Sequence, residues 1–215
     1  MNGWGRGSGG GLLVDRIPLF PLHTLLLPTT DLGLHVFEQR YRDLVSVCLR
    51  DGIEFGVILI KHGREVGGPA EPHPIGTAAS IAGYARLPDG RYLLEVEGTR
   101  RFRIMTMSVN GSYPQAEVEW LTESIGNFAD ARARSLEVDQ LFAAYRVCCG
   151  DGDLPVRLPT DPVARSYLVA SLVQIDVTEK QRLLELSTAG ERLRAETEIL
   201  RREIAVLDHL RARRG

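Results

Sequence analysis

The sequence predicts an α+β protein: a small, closed or nearly closed β barrel carrying one main helix, followed by a C-terminal helical bundle. Three observations carry this. Short β-like runs alternate with Gly and Pro up to about residue 125. Helical periodicity dominates from Asn127 onward. A single amphipathic stripe, Phe37, Tyr41, Leu44, Val45 and Cys48, interrupts the β half at i, i+4, i+7, i+8 spacing. The expected divisions are a disordered Gly-rich tail over 1–11, a barrel over 12–125 and a bundle over 126–215.

The elements follow in order. Ile17 to Leu22 contains Pro18 and Pro21, so it is an edge or irregular strand, because proline lacks the ladder N–H. Leu25, Leu26 and Leu27 suit a short buried strand. The helix through Tyr41 ends at Asp51-Gly52, glycine being the usual stop. Phe55 to Ile60 is rich in branched residues and predicts a buried strand. Lys61 to Pro74, with its glycines and prolines, predicts a long exposed loop or loose hairpin. Thr77 to Tyr84 is strand-like. Pro88-Asp89-Gly90 is a turn, since proline presets φ and glycine accepts a positive one. Arg91 to Glu97 is a strand with Tyr92, Leu94 and Val96 on one face, and Gly98-Thr99 is expected to turn the chain. Phe102 and Ile104 face inward, as do Ala116, Val118 and Trp120. Closing these strands on themselves removes exposed edges.

In the second half, Asn127 or Asp130 starts a helix that stops near Gly150. Asp161-Pro162 is a cap followed by proline at the first helical position. Thr178 with Gln181 and Thr188 with Glu191 each have capping-box spacing. The last helix runs from about Gly190 toward Arg211, with Leu193, Leu200 and Leu207 every seven residues. That stripe packs on the preceding helices or forms the seam of a homodimer.

Composition narrows the function. The chain has 215 residues, 44% hydrophobic and 25% charged, with a formal net charge of -2. Globally this is not the balance of a nucleic-acid binder, which carries a basic face. No apolar run reaches the ~18 residues of a membrane span. Met1 to Gly11 lacks the apolar core of a secretory signal. The three cysteines, Cys48, Cys148 and Cys149, show no metal-site spacing and are expected to be reduced. Together these imply a cytoplasmic protein.

The residues at this point resemble a known family. Ile17-Pro18-Leu19-Phe20-Pro21-Leu22, followed by Leu34-His35-Val36-Phe37-Glu38-Gln39-Arg40-Tyr41-Arg42-Asp43-Leu44, is similar to the signature of the Lon protease N-terminal domain. Phe55-Gly56-Val57, Gly76-Thr77-Ala78, Asp89-Gly90-Arg91-Tyr92 and Val96 to Phe102 fall where that family has similar pieces. Glu179 to Glu185 and Glu191-Arg192-Leu193 resemble its helical part. The combined order is specific, while no single motif is. The resemblance implies a stand-alone member with a PUA-like pseudo-barrel and a helical bundle. It implies recognition of unfolded or apolar polypeptide segments on the barrel surface and in the groove between barrel and bundle, in quality control or as an adaptor for a separate protease or chaperone. Phe37, Glu38, Arg40 and Tyr41 are the motif residues, expected to hold the helix against the barrel and to be weak binding candidates.

Catalytic machinery is not legible. A full Lon protease adds an ATPase and a Ser–Lys peptidase. A phosphate-binding loop needs lysine directly after glycine, whereas Lys61 and Lys180 follow Ile60 and Glu179. Lys61 is expected in a loop and Lys180 at an exposed helix start, neither suited to a buried dyad. His35 near Glu38 is read as packing or capping at the helix start, with Glu38 pairing Arg42 at i, i+4. His62 and His73 bracket the loop. No metal and no cofactor are expected. The cluster Arg100, Arg101 and Arg103 is the one feature that keeps an RNA-binding PUA-like alternative open. The simpler expectation is that Glu95, Glu97 and Glu117 balance it across strands. An aromatic cage for a small ligand finds only Trp4 and Trp120.

Overall fold

A computed structural model describes residues 15–65, 70–109, 111–152 and 156–213. The tail expected over 1–11 lies outside the described residues. The chain divides into two compact units. One comprises Met1–His23 and Leu32–Leu121, the other Thr24–Asp31 and Thr122–Gly215.

The first unit is a ring of strands with one helix. In chain order its elements are β1 (Asp15–Leu22), β2 (Asp31–Val36), α1 (Gln39–Asp51), β3 (Phe55–Gly63), β4 (Ala70–Pro72), β5 (Ile75–Arg86), β6 (Tyr92–Val109) and β7 (Pro114–Trp120). Strands run in the order β1-β7-β6-β5-β3-β4, β2 also pairs with β6, and β1 returns to pair with β3. Asp15 to Pro18 lie antiparallel to β7, and Leu19 to Leu22 lie parallel to β3. Each half of β1 therefore has a ladder on one side only. That is the condition under which Pro18 and Pro21 are tolerated, and the change of partner closes the barrel.

The barrel core gathers Ile17, Leu19, Ile58, Ala78, Phe102, Ala116 and Val118. Its tightest point is the Phe102 ring. A Cβ added at Gly56 would stand 2.6 Å from Phe102 Cζ, and one added at Gly76 would stand 2.6 Å from the Val57 carbonyl and 2.7 Å from the same Cζ. Both glycines are thus required by close approach rather than by φ. Helix α1 turns Tyr41, Leu44, Val45 and Cys48 inward, and Gly52 ends it with φ 64°. The Tyr41 ring stacks on Phe20 with centroids 4.1 Å apart. Burial pushes the Tyr41 hydroxyl and the Cys48 thiol each up to about 12, so Cys48 is a packing group rather than a nucleophile.

Several local expectations need correction. Leu26 and Leu27 are buried, but they lie in an irregular segment, not a strand. Pro28 follows at once, and Thr30 turns the chain by donating from N and Oγ1 to the Leu27 carbonyl at 3.3 and 2.8 Å. The chain does not turn at Gly98-Thr99: β6 runs on for 18 residues. Register shifts against β5 and β7 let it coil through the barrel without breaking. Lys61 belongs to β3, which pairs with β4 as a hairpin.

The second unit holds α2 (Phe128–Cys149), α3 (Pro162–Leu172), α4 (Val177–Glu185) and α5 (Ala189–Ala212). Asn127 caps α2 by accepting from the Asp130 N–H, and Asp161 caps α3 ahead of Pro162. Thr188 and Glu191 form the capping box of α5. Thr178 caps nothing: Asp176 is the cap of α4, accepting from the Thr178 N–H at 2.8 Å. Val138, Phe142, Tyr145, Val169, Val173, Leu193 and Leu200 form the core, so the leucine stripe is largely covered by the chain's own helices.

A buried cation organises this unit. Arg192 is wholly enclosed. Its guanidinium donates to Ser166 Oγ at 3.0 Å, to the Leu186 carbonyl at 3.1 Å and to Glu123 Oε2 at 3.1 Å. It also lies 4.1 Å from the centroid of the Tyr167 ring, whose hydroxyl donates to Glu123 Oε1 at 2.8 Å. One turn further along α5, Glu196 is buried with neither carboxyl oxygen hydrogen-bonded to a described residue. Burial holds its pKa well above the ordinary value, opposed only in part by Arg192.

Three outcomes follow for stability. Gly76→Ala is expected to cost roughly 1–3 kcal/mol by overpacking, measured by urea unfolding. Arg192→Met takes this cation away from Glu123 and is expected to cost about 3 kcal/mol in the same assay. Because burial raises the Glu196 pKa in the folded state, the folded chain holds this proton to higher pH than the unfolded chain, whose carboxyl ionises near about pH 4.3. Wild-type stability therefore falls as pH rises from there, by at most about 1.4 kcal/mol per pH unit. Glu196→Gln is expected to remove that slope, gaining over wild type toward pH 8 and matching it near pH 4 in pH-resolved thermal melts.

Candidate binding face

The four motif residues do not form one site. Tyr41 is buried beneath Phe20. Glu38 sits at the N-cap of α1 and makes no side-chain cap bond. Its carboxylate meets Arg40 at 3.1 Å, not Arg42, because a residue outside the helix does not face its i+4 neighbour. Arg40 also donates to the Glu65 carbonyl at 2.9 Å and lies 4.5 Å above the Tyr41 ring. Arg42 donates instead to the Asp89 carbonyl at 3.2 Å. Only Phe37 is presented outward, 49% exposed and 5.9 Å from the His35 ring. His35 is itself exposed on β2 rather than packed at the helix start.

The arginine cluster is occupied, though not by the expected glutamates. Arg100 meets Glu54 at 3.2 Å and lies 3.6 Å over the Trp120 ring. Arg103 meets Glu119 at 2.8 Å, its direct partner across β6 and β7. Arg101 is buried. Glu117 pairs with Arg16 at 3.4 Å. This leaves Glu95 and Glu97 exposed on β6 with no ion-pair partner among the described residues.

Glu95 borders a groove of about 640 Å³ on the first unit, within the usual range of about 300–1,000 Å³ for ligand pockets, and Glu97 follows Glu95 on the same face of β6. The groove is lined by Gly33, Leu34 and His35 of β2, Gly83, Tyr84 and Ala85 of β5, and Leu93, Leu94 and Glu95 of β6. Gly83 lies opposite Glu95, and Ala85 opposite Leu93. Small residues on the flanking strands thus leave the central leucine and glutamate standing in a shallow trough. Leu93 is 46% exposed on this outer face, whereas Tyr84 pairs with Leu94 and its ring lies 6.4 Å from Tyr92, on the other face of the sheet. Sequence reasoning missed this face. Its signal was Leu93 itself: with Tyr92, Leu94 and Val96 inward, alternation puts a leucine among glutamates on the outside.

In the helical unit a smaller groove of about 380 Å³ runs between α4 and α5. The Glu179–Arg202 pair bridges its rim at 2.8 and 2.9 Å. Lys180 is not an exposed end. Its Nζ donates to the Ser171 carbonyl at 2.7 Å, and burial lowers its pKa. The Ser171 hydroxyl donates to the Leu168 carbonyl at 2.7 Å, so lysine and hydroxyl are not joined as base and nucleophile. Among the described residues no group of three or more His, Cys, Asp or Glu could hold a metal ion. The three cysteines are free. No helix among these residues is long and apolar enough to cross a membrane.

Comparison with known proteins fits this architecture. Residues 16–202 match the model of the ATP-dependent protease La (LON) substrate-binding domain. The chain is 26% identical to Lon protease 2 of Syntrophobacter fumaroxidans over 204 residues, covering 91% of this chain and 25% of that protein. Against the Lon protease of Syntrophus aciditrophicus it is 26% identical over 212 residues, covering 91% and 26%. It therefore spans about a quarter of the length of these relatives. Among solved structures, the Lon N-terminal domain protein from Xanthomonas campestris superimposes with a TM-score of 0.64 at 30% identity, covering 84% of this chain and 96% of that one. The N-terminal domain of the Mycobacterium avium complex Lon protease shares the fold, with a TM-score of 0.67 at 21% identity over 89% and 98%. With a ring of strands closed by β1, a following helical unit and a family match over most of its length, this chain belongs to the Lon substrate-binding domain family.

Proposed function

We propose that this chain is a non-catalytic, cytoplasmic module that binds unfolded or apolar polypeptide segments, serving protein quality control as a recogniser or as an adaptor for a separate protease or chaperone. The observation that carries this reading is the trough on β2, β6 and β5, with Leu93 exposed on its floor, in a chain of the Lon substrate-binding family. An extended segment suits such a face. Main-chain bonds to a strand edge are indifferent to sequence, and shallow apolar pockets select side chains broadly. The chemistry of the described residues supports binding over catalysis, since Lys180 donates to a backbone carbonyl rather than to a hydroxyl. The pairing of Arg100 and Arg103 with Glu54 and Glu119 favours polypeptide over RNA as the ligand.

The test is binding of the purified chain to a reduced, alkylated and therefore unfolded protein probe, compared with the same protein folded. Saturable binding in the micromolar range to the unfolded form alone is expected, with no cleavage of the probe and no ATP turnover. Equal binding to both forms, or hydrolysis by the chain alone, would overturn the reading.

A further inference from the structure

We infer that the trough on the outer face of β6 selects extended polypeptide segments in which an apolar side chain and a lysine or arginine stand two residues apart. This rests on the polypeptide-binding reading above and names the class of segment that one face would take.

The argument starts from strand periodicity. Successive same-face residues on a strand are separated by roughly 6.6 Å. Along β6, Leu93, Glu95 and Glu97 share the outer face, opposite the buried Tyr92, Leu94 and Val96. An apolar contact and two negative charges are therefore laid out at the repeat of an extended chain. A segment lying along them meets Leu93 with one side chain and Glu95 and Glu97 with the second and fourth after it, counted in either direction.

Charge complementarity fixes the sign. The nearby arginines are committed elsewhere: Arg100 to Glu54, Arg103 to Glu119, and Arg91 to Asp89 at 2.6 Å. Arg86 lies over the Tyr92 ring. Glu95 and Glu97 are left as a charge pair that an incoming cation satisfies. The flanking strands provide room. A side chain built at Gly33 meets nothing within 4 Å, and the one atom group near a Cβ at Gly83 is the Glu95 side chain, 3.4 Å away at Oε2.

The experiment uses the full chain and short, labelled, unstructured Gly/Ser peptides containing Leu-Ser-Lys-Ser-Lys, Leu-Ser-Glu-Ser-Glu or Ser-Ser-Lys-Ser-Lys, read by fluorescence anisotropy. The first is expected to bind roughly fivefold tighter than the glutamate peptide, the size expected for two exposed ion pairs, and about tenfold tighter than the serine peptide, the size expected for a partly buried leucine, and to weaken as salt is raised. Glu95→Lys with Glu97→Lys is expected to reverse the preference toward the glutamate peptide. Gly33→Phe, which the native backbone accommodates, is expected to weaken all three. Thermal melts confirm that each variant folds. If the unfolded protein probe binds but the peptides show no charge preference, or the double variant leaves it unchanged, this inference is wrong and the broader reading stands. If neither probe nor peptides bind, both are wrong.

Discussion

Closure of the barrel depends on how closely one aromatic ring can approach two backbones. Phe102 sits where β3 and β5 converge, and the absence of a Cβ at Gly56 and Gly76 lets it reach the position it holds. The hydrophobic gain from enclosing the ring is ordinary. The geometric consequence is larger, because β1 must bridge from β7 to β3 at the spacing this packing sets. Interiors are close-packed and transmit strain, so a shift here moves both neighbours of β6. The outer face of β6, with its trough, is the far side of the same strand. The buried alternation of Tyr92, Leu94 and Val96 holds it in register.

The helical unit solves a different problem. Its core is apolar around Leu193 and Leu200, but its registry is set by Arg192, whose donors reach α3, the segment after α4 and Glu123 at once. Replacing a whole network of this kind by hydrophobes of like size often leaves stability unharmed, whereas removing one partner alone does not. The value of the network therefore lies in specifying which helix faces meet. Glu196 shows the opposite balance. A carboxyl without a hydrogen-bonding partner lowers stability, and burial raises its pKa, favouring the neutral form and limiting the penalty. Arg211 adds a smaller tie, donating to the Val147 and Cys148 carbonyls at 2.9 and 2.6 Å at the negative end of α2.

Much of this fold was legible because its signals are local. The stop at Gly52, the cap at Asp161 with Pro162, the box at Thr188 and Glu191, and the alternation of Ala116 and Val118 all need only a few neighbouring residues. Errors arose where the decisive partner is distant. Gly98-Thr99 has the composition of a turn, yet β5 pairs through Gly98 and carries β6 onward. Three leucines resemble a strand, yet no neighbour offers Leu25–Leu27 a ladder. The arginine cluster was visible, but its partner Glu54 lies 46 residues from Arg100, and no spacing rule connects them. The trough was half visible: alternation exposes Leu93, while the small residues that hollow its surroundings come from β2 and β5, whose placement beside β6 is tertiary.

The chemistry of this face favours tolerance over tight selection. An exposed ion pair is worth about 0.2–1 kcal/mol and is screened by salt, so in the proposed binding mode Glu95 and Glu97 would bias a choice among segments without supplying most of the affinity. Under the proposed reading, more of it would come from apolar area removed from water at Leu93, which any large side chain can provide. Glycines on the flanking strands leave space rather than shape, so little of the face rejects one apolar residue in favour of another. Backbone hydrogen bonding along a strand edge is blind to sequence. A recogniser of unfolded chains has to accept many sequences while rejecting folded surfaces, and extended geometry supplies that rejection because a folded protein seldom presents a free strand. On the proposed reading conformation would be the first filter, apolar character the second, and charge the weakest of the three.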